Sequence, residues 1–486
     1  MSFFGVQNNL AFSRDKLFTS RLVLINLGIL LSALGGVFVG YSGRVGLYAL
    51  PLVAAGLMLA LMCLTIVHRL RRGNFDWFET INFFYLGMGV GFVIRGVYIA
   101  IGLYNRETAF ETADDFIFFL TLAMWYGLLG ILAFLLGYYQ LVGARRVASH
   151  LPVFKPEIKT KLLYSIIFFY TIIGLVGLVI LLKQSGFSLA SLSLAEIARK
   201  RHYLDTTHYV TSVPDLLFSA LVLLSMVHFT KRRTPFFWIL IVLASIWPVY
   251  SSSRSTFATV CLTVLIIYSY LVRRISTRTI LIVAITAMFA LSVLLGLRGL
   301  KYQGTEHFET ALTAEGTLDN ILGSTKFADV VTFAHVLQAI PYSLQLQYGA
   351  TYLDLLTRPI PRDWWPEKPQ NLGQYVSDVL WGHEGENAGG IPIPMIAEFY
   401  WNFHLPGIMA GMFLAGFLSR ILYMYFDLNR RNVYTVTLYA TIVIFVFRFT
   451  STNFVNIATE FLLMMFPLLI AMYLSSGGFI QKPTSK

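Results

Sequence analysis

Long apolar runs fill most of the chain and are separated by short polar connections. Each run is close to the ~20 residues that a helix needs to cross a ~30 Å hydrocarbon layer. The pattern therefore predicts an all-α polytopic membrane protein with about twelve transmembrane helices. The predicted spans are 22–41, 46–67, 80–103, 116–141, 162–183, 214–230, 235–251, 255–272, 280–297, 404–425, 433–449 and 457–474.

One long polar segment, 298–403, interrupts this pattern between the ninth and tenth spans. Loops of this length inside a compact protein are usually functional or carry structure of their own. Within it, apolar residues recur at helical spacing over 324–340, which predicts an amphipathic helix. The chain thus divides into nine helices with short loops over 1–297, a large partly helical loop, and three helices with a tail over 404–486.

The distribution of charge predicts the orientation in the membrane. Only 13% of the residues are charged, against about 25% in a soluble domain, yet the net charge is +12. Lysine and arginine collect in the connections that would be cytoplasmic with the N-terminus inside, such as 68–72, 143–146, 231–234, 273–278 and 428–431. The positive-inside rule then puts both termini in the cytoplasm and the long loop outside. The positive charge is a topology signal and does not indicate nucleic-acid binding.

The most polar and most rigid part of the long loop is TRPIPRDWWPEKPQNLGQY, at 357–375. Its basic side chains are Arg358, Arg362 and Lys368. The planar guanidinium suits bidentate contact with phosphate, and the prolines hold the backbone in advance of binding. Trp364 and Trp365 lie between these residues and offer a surface for a sugar ring, or else belong to an interfacial belt. The segment predicts an anion site beside an aromatic platform.

Further ionisable residues lie in or at the ends of predicted spans. Arg95 falls inside the third span, whereas Arg254 and Arg298 stand at the outer ends of others. Charges at such depths are costly and usually face the bundle interior or a wet cavity. For Arg254 and Arg448 a purely structural role at a helix end is the alternative, and Glu460 is then a simple partner for a neighbouring charge.

A second informative stretch is AEFYWNFHLPG, at 397–407. If it is helical, Glu398 and Asn402 share one face because they are four residues apart. A carboxylate or the imidazole of His404 would take a proton from an attacking hydroxyl, while arginines stabilise a departing diphosphate. The structural alternatives are an acid favoured by the helix dipole for Glu398 and an interfacial role for His404.

Other chemistry finds no support in the sequence. The chain has no GxxxxGK[ST] loop and no GxGxxG motif, so nucleotide-dependent chemistry is not predicted. It has no HExxH motif and no closely spaced histidines, so no zinc site is predicted. We therefore expect no cofactor and no metal.

The strings RPIPRDWWPEKP, AGGIPIPMIAEFYWNFHLPG and SSSRSTF resemble the Wzy-type O-antigen and oligosaccharide repeat-unit polymerases. The order of many helices with one large outer loop late in the chain is also similar. Where members of that family often read NFG, this chain has Asn402-Phe403-His404. The resemblance implies a GT-C-like helical architecture in the inner membrane of a bacterium, with an active site that faces the periplasm.

The reaction that this resemblance implies joins oligosaccharide units that are carried on polyprenyl diphosphate. The terminal hydroxyl of an incoming unit attacks the anomeric carbon of the growing glycan, and polyprenyl diphosphate leaves. The residues expected to act in catalysis are Glu398, His404 and Arg254. Those expected to bind the diphosphate or the sugars are Arg95, Arg298, Arg358, Arg362, Lys368, Trp364, Trp365 and Asn402. The implied protein partners are a chain-length regulator and a repeat-unit flippase.

Three other functions remain open from the sequence. An O-antigen ligase would use the same donor and transfer the glycan to lipid A-core. A flippase or secondary transporter would place its polar groups near the midplane in two matching halves, whereas here they crowd one face and one loop. A sensor or scaffold would not need arginines at the outer ends of several spans.

Overall fold

The computed structural model describes residues 44–71, 75–100, 113–184, 212–231, 233–250, 254–283, 286, 330–360, 364–365, 367–368, 370, 372–381 and 392–480. The described part is almost entirely helical. Its helices are α1 (Arg44–Arg71), α2 (Thr80–Met88), α3 (Arg95–Ala100), α4 (Ala113–Tyr138), α5 (Leu141–His150), α6 (Thr160–Gln184), α7 (Asp215–Thr230), α8 (Phe236–Tyr250), α9 (Arg254–Leu271), α10 (Val330–Ala339), α11 (Ala350–Thr357), α12 (Leu372–Trp381), α13 (Met395–Leu428), α14 (Val433–Arg448) and α15 (Phe454–Ser476). A π-helical turn, Gly89–Ile94, joins α2 to α3.

Six of the described helical segments are long and apolar enough to cross a membrane, namely Ala49–Arg71, Thr80–Ala100, Asp114–Tyr138, Thr160–Leu181, Met395–Leu428 and Phe454–Ser476. This confirms an all-α multi-pass membrane protein. Helices such as α7 and α14 have 16 residues each, which gives a length of about 24 Å at 1.5 Å per residue. That is less than the ~30 Å of a hydrocarbon layer. The predicted span 22–41 and most of 280–297 lie outside the described residues.

Two large apolar clusters form the core of the described part. One is built from α1, α2, α4, α10 and α13, and the other from α6 to α9 with α14 and α15. In the first cluster, α4 and α13 approach each other closely enough for backbone to touch backbone. A Cβ on Gly137 would collide with the carbonyl of Phe413, and a Cβ on Gly416 would collide with that of Phe134. The glycines therefore permit this close contact.

The helix predicted inside the long loop is present and is more buried than predicted. α10 lies within the predicted range 324–340, but every one of its residues except Gln338 is buried. The predicted helix is confirmed over Val330–Ala339, and its polar face is covered as well as its apolar face. The buried imidazole of His335 has a partner within the helix, because its Nδ1 donates to the carbonyl of Val331 at 2.8 Å. Phe333 packs against Tyr126 of α4 and Tyr400 of α13, so part of the long loop belongs to the helical core.

The ends of the bundle are held by different polar contacts. At one end, Glu79 accepts hydrogen bonds from the hydroxyl of Tyr138 at 2.6 Å and from Arg420 at 3.1 Å, and it pairs with Arg69. We call these four residues the clamp. At the same end a two-stranded antiparallel sheet pairs β1 (Val153–Phe154) with β2 (Phe479–Ile480). The clamp joins α1, α4 and α13 to the residue that precedes α2.

Candidate functional site

At the other end of the bundle, α11, α13 and α15 meet in a polar contact. We call it the junction, and its residues are Thr351, Glu398, Asn402 and Phe454. It begins with a break in α13, where Phe403 and His404 leave helical backbone geometry. Pro406 has no N–H to donate and its ring disfavours a helical carbonyl four residues earlier. The carbonyl of Asn402 is therefore free, and it accepts from the backbone N–H of Tyr348 at 3.2 Å. The carbonyl of Trp401 accepts from Gln347 at 3.2 Å in the same way.

The side chain of Asn402 completes this attachment and is fully buried. Its Oδ1 accepts from the backbone N–H of Gly349 at 2.7 Å. Its Nδ2 donates to the hydroxyl of Thr351 at 2.8 Å and to the carbonyl of Glu398 at 2.8 Å. Both Nδ2 hydrogens and the oxygen are thus engaged within the protein. In this conformation Asn402 holds the start of α11 on α13.

Glu398 lies one turn before Asn402 on the same helix, as the spacing predicts, and none of its surface is exposed. Its Oε2 accepts from the backbone N–H of Phe454, the first residue of α15, at 2.6 Å. A carboxylate at this position satisfies an N–H that has no partner within its own helix. It also complements the positive end of the helix dipole. Glu398 therefore binds the start of α15, and it also lies in the first turn of its own helix, α13.

Arg358 of the proline-rich segment also contacts the first turn of α15, and Lys368 contacts the backbone around Arg358. Arg358 donates from Nη2 to Oδ1 of Asn456, in the first turn of α15, at 2.7 Å. It also pairs with Asp354 on α11 at 3.7 Å. Lys368 donates from Nζ to the carbonyls of Arg358 at 3.1 Å and Ile360 at 3.0 Å, so it closes the proline-rich turn on itself.

The two tryptophans of this segment differ in exposure. Trp364 is 83% exposed, and Trp365 is 37% exposed. A stacking platform for a sugar needs an accessible indole face, and Trp364 meets that condition. Tyr348, at the start of the junction, is 75% exposed as well. Exposed aromatic surface is therefore present at Trp364 and Tyr348.

The other residues predicted to bind substrate or to act in catalysis lie away from these contacts or outside the residues that the structure describes. Arg95 is buried and directly follows the π-helical turn. His404 is exposed at the break in α13, with its ring edge-on to Tyr400 at 5.0 Å between centroids. Arg254 begins α9, but its side chain lies outside the described part of the structure. Arg298 and Arg362 also fall outside the described residues.

Arg448 and Glu460, two further charges in the predicted spans, lie against each other. Arg448 donates from Nη2 to Oε1 of Glu460 at 2.7 Å, so these two residues at neighbouring helix ends form an ion pair. Pairing reduces the cost of placing either charge near the membrane. Neither residue is needed for the junction.

Sequence reasoning missed the asparagines at the start of α15. Asn453 is the N-cap of α15, and its side chain accepts from the backbone N–H of Asn456. Asparagine is among the preferred N-cap residues, so the string STNFVN before an apolar run carried a usable signal. The bonds of Asn456 with Arg358 and of Phe454 with Glu398 had no such signal, because they join segments that are far apart in the chain.

No group of three or more His, Cys, Asp and Glu side chains arranged to hold a metal ion occurs among the residues that the structure describes. The fold and the junction define a class, an all-α multi-pass membrane protein with a polar helix junction at one end of its bundle. No protein-family model, no curated protein and no solved structure matches this chain significantly.

Proposed function

We propose that this protein is a membrane glycosyltransferase that polymerises oligosaccharide units carried on polyprenyl diphosphate. In this proposal the junction lies at the periplasmic side of a bacterial inner membrane, with both termini in the cytoplasm. The excess of lysine and arginine in the connections at the opposite end supports that orientation. The motif resemblance over 357–375 and 397–407 supports the reaction.

One structural observation carries the proposal. Glu398 accepts from the N–H of Phe454, and Arg358 donates to the side chain of Asn456, so both residues bind the first turn of α15. The two segments that carry the motif resemblance are thus attached to the same helix end. A guanidinium fixed before substrate arrives loses little conformational entropy on binding a diphosphate.

The chemistry requires charge stabilisation more than activation of the nucleophile. The acceptor hydroxyl oxygen forms a bond to the anomeric carbon of the donor, while the bond from that carbon to the diphosphate oxygen breaks. The proton of the hydroxyl would pass to the departing diphosphate, directly or through the imidazole of His404. Negative charge grows on the departing diphosphate, and Arg358 and Arg362 would stabilise it there. Glu398 is buried and bonded to α15, so we assign it as a positioning residue. Trp364 would hold a sugar ring beside the reacting carbon.

The test is an assay in membranes supplied with lipid-diphosphate-linked oligosaccharide units. We expect a ladder of longer glycans and release of polyprenyl diphosphate. Arg358→Ala should reduce ladder formation at least tenfold, whereas Arg358→Lys should keep part of it because the charge remains. Arg274→Ala, an exposed arginine at the other end, is the matched control. A full ladder from Arg358→Ala at equal expression would contradict the proposal. Transfer of the glycan only to lipid A-core would show that the protein is a ligase.

The same assay distinguishes a positioning role of Glu398 from a role in proton transfer. Glu398→Gln keeps an oxygen that accepts from Phe454, whereas Glu398→Ala leaves that buried N–H without its partner, at a cost of about 1–3 kcal/mol. A positioning role predicts that Glu398→Gln retains most activity and that Glu398→Ala loses both activity and thermal stability. If Glu398→Gln is folded but inactive, the carboxylate takes part in proton transfer and the positioning role is wrong.

A further inference from the structure

The short helix α5 differs in composition from the spans on either side of it. It reads LVGARRVASH and lies between α4 and α6. At ten residues it is about 15 Å long, too short to cross a bilayer. Ala144 and Ala148 are buried, and a Cβ on Gly143 would lie 3.4 Å from the ring of Phe417 on α13. The helix therefore rests with one face against the clamp end of the bundle.

The remaining surface of α5 combines basic and apolar side chains. Arg145 and Arg146 are exposed, and they form no ion pair with any residue in the part of the chain that the structure describes. Val147 is 42% exposed, and Leu151, just past the helix, is 39% exposed. Helices that lie at the boundary between headgroups and acyl chains typically combine basic and apolar side chains in this way.

The connection from α5 to α6 adds exposed lysines to this surface. They are Lys155 and Lys159, with Glu157 as an exposed acid between them, and Lys161, the second residue of α6, is exposed next to them in the chain. The connection is fixed in place by three elements. The hydroxyl of Tyr425 donates to the carbonyl of Pro152 at 2.9 Å, Asn432 donates to that of Phe154 at 2.6 Å, and β1 pairs with β2. Its charges are thus held in position before any partner binds.

We propose that Arg145, Arg146, Lys155, Lys159 and Lys161, which we call the basic patch, bind the headgroups of anionic phospholipids. The occupant follows from charge and position, because the patch adjoins the ends of two membrane spans and presents five cations against one carboxylate. Exposed valine and leucine beside the arginines would enter the acyl region while the guanidiniums contact phosphate. This site is separate from the junction and does not depend on the proposed enzymatic function.

The test uses the full-length protein in phosphatidylcholine vesicles that contain a trace of photoactivatable phosphatidylglycerol or phosphatidylcholine. After illumination, mass spectrometry measures the lipid attached to peptides from 141–161. The quantity compared between variants is the ratio of attached phosphatidylglycerol to attached phosphatidylcholine. We expect phosphatidylglycerol to be preferred and the preference to fall at high salt. Arg145→Gln/Arg146→Gln should lower the ratio about fivefold for each arginine removed.

Two further variants make the test specific. Arg273→Gln/Arg274→Gln removes two exposed arginines of the same bundle end outside the patch and should leave the ratio at 141–161 unchanged. Arg145→Lys/Arg146→Lys keeps the charge and should keep the preference. All variants must elute as the unaltered protein does in size-exclusion chromatography. A ratio near one in the unaltered protein, or equal losses in both glutamine variants, would overturn the proposal.

Discussion

The junction depends on a residue in an unusual backbone conformation. His404 has φ 52° and ψ −147°, in the region that favours glycine, directly after Phe403 leaves the helix. A side chain is costly there because its Cβ crowds the backbone. The break is nevertheless needed, because it frees the carbonyls of Trp401 and Asn402 to bind the segment before α11. The resembling polymerases often carry glycine at this position, and the backbone geometry gives a physical reason for that choice.

This geometry leads to a prediction at position 404. His404→Gly should raise the stability of the protein by about 1–2 kcal/mol relative to His404→Ala, because both remove the imidazole but only glycine relieves the backbone strain. Thermal unfolding of the purified variants in detergent measures the difference. Equal midpoints for the two variants would show that the backbone at 404 is not strained. An activity loss shared by both variants would point to the imidazole itself.

The helix pair α4 and α13 shows how the elements fit together. The two backbones touch at Gly137 of α4 and Gly416 of α13, and another glycine of α4, Gly130, lies against Ile396 and Met412 of α13. Small residues at such contacts are typical of helices that pack inside membranes, where burial from water contributes little between helices. The contact fixes α13, and with it both the clamp and the junction at its two ends.

The contact predicts a large difference between two glycine substitutions. Gly137→Ala places a Cβ against the carbonyl of Phe413, so we expect a loss of about 1–3 kcal/mol in stability. Gly56→Ala, on α1, meets nothing within 4 Å and should be neutral or stabilising by up to about 1 kcal/mol. Thermal unfolding of both variants in the same detergent tests this. If Gly56→Ala proves the more harmful, the helix pair is not packed through Gly137.

At the scale of the whole molecule, two clusters of polar side chains lie at opposite ends of the described bundle. The junction gathers residues of α11, α13 and α15, and the clamp gathers residues of α1, α4 and α13 around Glu79. The two differ in character. The clamp is an ionic cluster of one carboxylate and two arginines, whereas the junction is built mainly on hydrogen bonds to backbone groups.

The clamp predicts a strong dependence of stability on Glu79. The Glu79 side chain is 6% exposed, and those of Arg69 and Arg420 are 12% and 13% exposed. Glu79→Gln leaves two largely buried guanidiniums without their carboxylate, which typically costs about 3–5 kcal/mol. Glu157→Gln, at an exposed acid of the same end, should change stability by less than about 0.5 kcal/mol. Similar midpoints for the two variants would show that the clamp does not hold the bundle together.

The sequence alone determined the class of the fold, because apolar length is a local property and a bilayer demands it of every spanning helix. It also marked Glu398 and Asn402 as members of one helix face, because their spacing is local. The burial of α10 on all sides was not predicted, because what covers a helix depends on its packing against other helices, here α4 and α13. The bond of Arg358 with Asn456 and that of Glu398 with Phe454 were decided by tertiary structure alone. Such contacts join segments far apart in the chain, and no periodicity encodes which ends of which helices will meet.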